Sequence, residues 1–460
     1  MTMWFIDRTA LKRPVYLSLA DQIARAILDG KLARGARLPT HRALADDLAL
    51  SVQTVSRAYE ELIRRGLIAG ETGRGTFVRA QRTEGSLPYL PERLGELVDL
   101  SILKPICEDM HLDRMRKALV SLADSLPPST VLSFRPNVIF PRHRSVASEW
   151  LKLCGLDVAP SNICLTNGAS GGMTTALLSV ATPGSTIATE AIGCHTLIPL
   201  ASYLGLELAG LEVDDDGIVP EALAEACERT VVRALFVQPS VINPTATLMS
   251  LKRREALVEV ARKYDIAIIE DDVLGPLIEH RPPPIAALAP ERTIYITSFT
   301  KIVVPGLRTG YLAVPDRMLS AVVNRHLVTS WIATPLVAEI ATRWVTDGTA
   351  LELVNWQRAA LRRRHAVARE VLAGIDFKAH PDGLHIWLPL EGGREENLFI
   401  AQARLRGVAV APGSSFQTGE TRQSAARISV GSTSEAEFRS GIGVVSSLIR
   451  SNPEPLLLAI

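Results

Sequence analysis

Cysteine is scarce in this chain. There are five in 460 residues (Cys107, Cys154, Cys164, Cys194 and Cys227), with no Cys-x-x-Cys pair and no histidine nearby at metal spacing. An odd, scattered set argues against a disulfide scaffold and for reduced thiols, so a cytoplasmic setting is expected. Long apolar runs are lacking too. The longest, TLIPLASYLGLELAGLEV, is broken by Pro199, Ser202 and Glu207, too interrupted for a membrane span. The opening MTMWFIDRTALKR has no apolar h-region, so no signal peptide is expected. Internal repeats and low-complexity tracts are also missing.

What is present describes a well-packed globular protein, 47% hydrophobic and 22% charged. At this length two or more domains are the default. The net charge of +1 conceals an asymmetry: residues 1–80 hold 13 Lys and Arg against 8 Asp and Glu, leaving 37 of the 50 against 41 of the 49 for the remainder. A basic head on a slightly acidic body points to an anionic partner for the head.

In the head, YLSLADQIARAILDG spaces Leu19, Ile23 and Ile27 four apart, an amphipathic helix ending at Gly30. A second helix is expected in THRALADDLAL, with Thr40 as its N-cap. In SVQTVSRAYEELIRRG, Val52, Val55, Tyr59, Leu62 and Ile63 share one face, leaving Gln53, Thr54, Ser56 and Arg57 on the other. LIAGETGRGTFV reads as a β-hairpin around a Gly-Arg-Gly turn. Three helices and a hairpin make a winged helix, whose third helix enters the major groove while Arg74, at the wing tip, reaches backbone or minor groove. Residues 81–98, polar and containing Pro88 and Pro91, read as a linker. The three parts are then 1–80, 81–98 and 99–460.

Beyond the linker, the short apolar runs RALFVQP, YDIAIIEDD and RTIYITSF alternate with amphipathic segments such as SLKRREALVEVARKYD. Strand–helix–strand repetition predicts an α/β body with a mostly parallel sheet, whose ligands bind beyond the carboxyl ends of the strands. Four polar positions fall there: the glycine turn in CLTNGASGGM, Asn243 before Pro244, Asp271 in IIEDD, and Lys301 with Ser298 and Arg308 in SFTKIVVPGLRTG. Glu270, Asp271 and Asp272 would also suit a metal, but no histidine accompanies them and one strand supplies all three, so metal ranks low. Together the positions fit pyridoxal 5'-phosphate. Its aldehyde needs a lysine amine, its pyridine nitrogen a carboxylate, and its phosphate a helix N-terminus, a hydroxyl and an arginine.

The head, GKLARGARLPTHRALADDLALSVQTVSRAYEELIRRGLIAGETGRGTFV, resembles the GntR DNA-binding domain. That resemblance implies contacts with double-stranded operator DNA at Arg42, Ser51, Gln53, Thr54, Ser56 and Gly75, with Arg57 on the same face. From residue 99 the chain resembles fold-type I aminotransferases through TNGAS, NPT, IIEDD, SFTKIVVPGLRTG, GLHIWLPL, VAVAPGSSF and RISVGS. This implies a smaller C-terminal α+β subdomain, Lys301 as the Schiff-base lysine, Asp271 on the pyridine nitrogen and Asn243 near the ring oxygen. Ala169, Ser170, Ser298 and Arg308 would surround the phosphate, and Arg427 would clamp a substrate carboxylate. A GntR head on such a body is the layout of the MocR regulators and implies a homodimer.

Three positions depart from these patterns. Many GntR relatives have Arg where Val52 stands. The tyrosine that usually follows the acid is replaced by Val273 and Leu274, and the ring-stacking aromatic by Cys194, with His195 beside it to stack, hydrogen-bond or face solvent. These departures favour a regulator that senses an amine or amino acid by exchange at Lys301. An aminotransferase carrying a DNA-binding appendage, and a repressor whose body only dimerises, remain as alternatives.

Overall fold

The computed structural model describes residues 6–29, 31–32, 35–64, 67–71, 75–78, 97–136, 140–390, 395–418 and 423–451. The chain divides into two compact units, Met1–Pro88 and Tyr89–Ile460.

The first unit is built as its periodicity predicts. Leu19 and Ile23 of α1 (Val15–Leu28) are buried against Leu44 of α2 (His41–Leu48) and Val55, Tyr59 and Leu62 of α3 (Val52–Arg64). The Thr40 hydroxyl accepts the Ala43 N–H at 3.2 Å, the expected N-cap. Strands β1 (Ile68–Glu71) and β2 (Gly75–Val78) pair antiparallel as the wing. Gly30, expected to end α1, and the wing-tip Arg74 lie outside the described residues. Two residues assigned to the apolar face of α3 do not belong to it: Val52 is 44% exposed and Ile63 47%. Val52 opens the helix, before the first turn that packs. Ile63 is rotated by about 100° from the buried Leu62.

The second unit begins earlier than expected. Val98, placed in the linker from sequence, is already in strand β3 (Val98–Asp99), paired in parallel with β13 (Val408–Ala409). The linker assignment missed it because two residues carry no readable period. Linker residues 81–96 lie outside the described residues, and Leu97 leads directly into the strand.

The body's main sheet is formed by β4 (Ile163–Thr166), β5 (Thr186–Glu190), β6 (Glu207–Leu211), β7 (Val232–Val237), β8 (Ala267–Asp271), β9 (Thr293–Ser298) and β10 (Gly310–Ala313). Its spatial order is β4-β10-β9-β8-β7-β5-β6. The pairs among β9, β8, β7, β5 and β6 are parallel, and β10 runs antiparallel to both neighbours. The three runs read as buried parallel strands, β7, β8 and β9, are adjacent and almost wholly buried. Separate apolar clusters on the two faces of the sheet bury it from both sides.

A smaller antiparallel sheet closes the body, in the order β11 (Lys378–Ala379), β12 (His385–Pro389), β15 (Ala425–Ser429), β14 (Ala411–Pro412). A last helix, Glu435–Arg450, packs beside it. No helix among the described residues is long and apolar enough to cross a membrane.

Candidate functional site

Six strand ends meet at one cavity. β4 ends at Thr166 and runs through Asn167 into α4 (Gly168–Val180); β5 is followed by Cys194 and His195, β7 by Gln238, and β8 ends in Asp271. β9 ends at Ser298 and leads through a single 3-10 turn to Lys301, and Arg308 precedes the reversed strand β10. The predicted Ala169, Ser170, Cys194, His195, Asn243, Asp271, Ser298, Lys301 and Arg308 all line this cavity.

Two glycines shape its phosphate side. Gly168 has φ +75°, and a Cβ there would come within 3.1 Å of the Arg308 guanidinium. A Cβ on Gly310 would meet Thr166 Oγ1 at 2.8 Å and the Gly168 carbonyl carbon at 2.9 Å. Without these side chains, Arg308 lies across the start of α4, beside the N–H groups that leave a helix N-terminus partly positive. The Ser298 hydroxyl is held by its own turn, donating to the Thr309 carbonyl at 3.1 Å and accepting the Thr300 N–H at 3.2 Å. Thr300 also lines the cavity. Its hydroxyl between Ser298 and Lys301 was a readable signal that the sequence reading passed over.

The three acids of the run engage separate sets of partners, which removes the reason to group them around a metal. Glu270 accepts the N–H groups of Ile285 and Ala286 at 2.9 and 2.7 Å. Asp272 pairs with Arg281 and accepts the Tyr295 hydroxyl at 2.7 Å. Only Asp271 faces the cavity. Its Oδ2 accepts from Gln238 Nε2 at 2.8 Å, while Oδ1 is buried with no partner among the described residues. Burial pushes the Asp271 carboxyl up to about 7; the Gln238 hydrogen bond opposes this, and the Asp272 and Glu190 carboxylates add to it. Burial, with Arg427 and Arg308, brings the Lys301 amine down to about 8.

Val273 and Leu274 line the wall where a tyrosine was missing from the sequence. Tyr295 is no substitute, because its hydroxyl donates to Asp272. His195 turns inward: its ring meets Phe416 edge-on at 5.2 Å, and its Nδ1 is 3.4 Å from Asn243 Nδ2. Burial holds it neutral down to about pH 3, helped by Arg427 and Lys301. Asn243 Oδ1 is a second buried polar atom with no partner among the described residues.

Arg427 is buried beside the cavity, and its Nη2 donates to the Ser101 carbonyl at 2.6 Å. The Lys301 amine donates to the Leu103 carbonyl. One stretch just after β3 therefore covers both cations. No sequence signal could reveal this, since carbonyls belong to every residue.

In the head, Arg42, Ser51, Gln53 and Arg57 are exposed and Thr54 and Ser56 half-buried. Ser51 Oγ accepts the Thr54 N–H at 3.1 Å and sits 2.8 Å from its hydroxyl. Ser56 approaches His41 at 3.4 Å, and the Arg57 guanidinium stacks 4.1 Å from the Tyr16 ring centre. Gly75, at φ +123°, opens β2.

Residues 109–444 match the family described as aminotransferase class I and II, and residues 15–78 match bacterial regulatory proteins of the gntR family. The chain is 27% identical over 424 residues to the uncharacterized HTH-type transcriptional regulator YdeF of Bacillus subtilis, covering 91% of this chain and 90% of that protein. It is 25% identical over 456 residues to the HTH-type pyridoxine biosynthesis transcriptional regulator PdxR of Corynebacterium glutamicum, covering 94% and 95%. In fold, the multiple substrate aminotransferase of Thermococcus profundus matches with TM-score 0.71 and 21% identity over 81% of this chain and 95% of its own. An archaeal alanine:glyoxylate aminotransferase matches with TM-score 0.70 and 24% identity, covering 77% and 91%. The chain belongs to the class I and II aminotransferase family, the pyridoxal-phosphate fold, carried behind a gntR-type DNA-binding domain in the arrangement of the MocR transcriptional regulators.

Proposed function

We propose that this pyridoxal-phosphate-dependent, DNA-binding regulator senses an amine or amino acid at Lys301. The observation that carries the reading is the cavity at the carboxyl edge of the sheet, where Lys301, Asp271, Asn243 and Arg308 converge. The cofactor fits what is there: the orphaned Asp271 Oδ1 and Asn243 Oδ1 are buried polar atoms that need partners.

When bound, pyridoxal phosphate supplies an aldehyde that condenses reversibly with primary amines. Lys301 would hold it, since its lowered pKa keeps part of the amine uncharged near neutral pH. Asp271 would keep the ring nitrogen protonated through Oδ1, and the Asn243 amide would meet the ring oxygen. Arg308 and the first N–H groups of α4, with Ala169, Ser170 and Ser298 around them, would bind the phosphate. Cys194 packs in the wall and His195, neutral, orients Asn243.

Val273 and Leu274 bring no hydroxyl to the ring oxygen, so proton movement at Lys301 lacks a phenol to support it. Binding is favoured over turnover. An effector's carboxylate would go to Arg427 in competition with the Ser101 carbonyl. An effector preferring one conformation of the body would shift its population. Two copies of the chain would read two half-sites through Arg42, Ser51, Gln53, Thr54, Ser56, Arg57, Gly75 and the wing.

The test is absorption spectroscopy of wild type and Lys301→Ala, loaded with pyridoxal phosphate and exposed to a panel of amines and amino acids. In parallel, binding to a DNA fragment selected by the wild-type protein is measured. A visible band in wild type only, altered by an amino compound that also changes DNA binding, without accumulating keto acid, is expected. A colourless wild type would reduce the body to a dimerisation module, and steady keto-acid release would make it a working aminotransferase.

A further inference from the structure

Gln238 was not singled out by any motif, yet it occupies a particular place in the sheet. It follows β7 directly, and β7 lies between β8 and β5. Its side chain serves one neighbour and its backbone the other. Nε2 donates to Asp271 Oδ2 at 2.8 Å, and the backbone N–H donates to Glu190 Oε1 at 2.8 Å. Gln238 is 7% exposed, Asp271 5% and Glu190 fully buried. We infer that Gln238 is a positioning residue for the cofactor: its amide locks Asp271 so that the open Oδ1, in its charged form, faces the pyridine nitrogen.

This rests on the reading of the cavity as a pyridoxal phosphate site. A carboxylate can turn about its last bond with little resistance, because that torsion is broad and two-fold. With one oxygen bonded to Gln238, only the other is presented to the cavity. The same bond decides charge. Asp271 is buried near two other carboxylates, Asp272 and Glu190, and near the Cys194 thiol, with Lys301 as the opposing cation. Burial and like charge both favour the neutral acid, which cannot keep a pyridine nitrogen protonated. A donated N–H stabilises the carboxylate alone. The bond to Glu190 comes from the Gln238 backbone and survives any substitution, so side-chain variants isolate the link to Asp271.

The experiment compares wild type, Gln238→Leu, Gln238→Asn and Gln238→Glu. Pyridoxal phosphate affinity is read by titration of stripped protein, the pH profile by the visible band of the loaded protein, and folding by thermal unfolding before loading. Gln238→Leu, similar in size and without a donor, should bind the cofactor about tenfold to a hundredfold more weakly, with the pH profile displaced. Gln238→Asn, one methylene too short, should displace the profile in the same sense and serves if the apolar variant fails to fold. Gln238→Glu can donate to Asp271 only while protonated, so it should load in acid and lose cofactor as the pH rises. A Gln238→Leu or Gln238→Asn protein that folds, binds as tightly as wild type and keeps the same pH profile would overturn the inference alone. A wild type that takes up no pyridoxal phosphate would overturn the cavity reading and this inference with it.

Discussion

In the winged helix the side chains that the GntR resemblance assigns to DNA are exposed (Arg42, Ser51, Gln53, Arg57) or half-buried (Thr54, Ser56). In the body the polar groups of the cavity grade inward: Ser170 and Arg308 are exposed, Lys301 and His195 half-buried, while Asn243 is only 8% exposed, Asp271 5% and Arg427 3%. A stiff polyanion is met by long, hydrated cations and hydroxyls that need no prior desolvation, and its salt-dependent affinity follows from released counterions. A cofactor of modest size needs groups already stripped of water and held by other protein atoms. One surface is assembled by exposure, the other by hydrogen bonds behind the wall.

The sharpest way to break this contrast is to crowd the cavity. Gly168→Val would place a branched side chain at a positive φ and push it into Arg308. Losing charge-assisted phosphate contacts worth about 3 kcal/mol should weaken pyridoxal phosphate binding about 100-fold in a fluorescence titration, with DNA binding in the absence of effector little changed. On the exposed side, Gln53→Ala should cost about 2 kcal/mol on the preferred DNA and relax sequence preference at one position, read by binding to a set of base-substituted duplexes.

A third effect is smaller and concerns protons. Lys301 is held at about 8, below its usual range. Below that pH the amine is protonated and cannot react; above it the amine is neutral. The rate of cofactor loading should therefore rise about tenfold between pH 7 and pH 9 and then level off, measured by stopped-flow absorbance. His195, neutral above about pH 3, adds no inflection there, and Asp271→Asn should keep the rise, near 8 or lower. The smallest effect belongs to Arg57. Its stacking on Tyr16 makes Arg57→Ala a loss of about 0.5 to 1 kcal/mol to the head's stability, seen in chemical denaturation, separate from any lost phosphate contact.

Much of the scaffold was legible because the physics that builds it is local. Short β-branched runs ended by Gln238, Asp271 and Ser298 are visible as strands that stop at polar residues, and the glycines at 168 and 310 mark where backbone comes close. The Thr40 hydroxyl marks a helix start. Less legible were roles set by partners distant in the chain. Nothing in IIEDD tells that Glu270 caps Ile285 and Ala286 while Asp272 binds Arg281 and Tyr295. Val98 pairs with Val408, and Gln238 gains its meaning only from β8 and β5 on either side. The exposed ends of the α3 stripe, Val52 and Ile63, depend on how far its neighbours extend.

The stretch after β3 has a further consequence. Its Ser101 carbonyl engages Arg427 and its Leu103 carbonyl engages Lys301, so a single short piece of main chain bridges the two cations. Both acceptors are main-chain carbonyls, so no side-chain substitution at Ser101 or Leu103 removes them; the tie between the surroundings of Lys301 and Arg427 is lost only when the stretch itself moves.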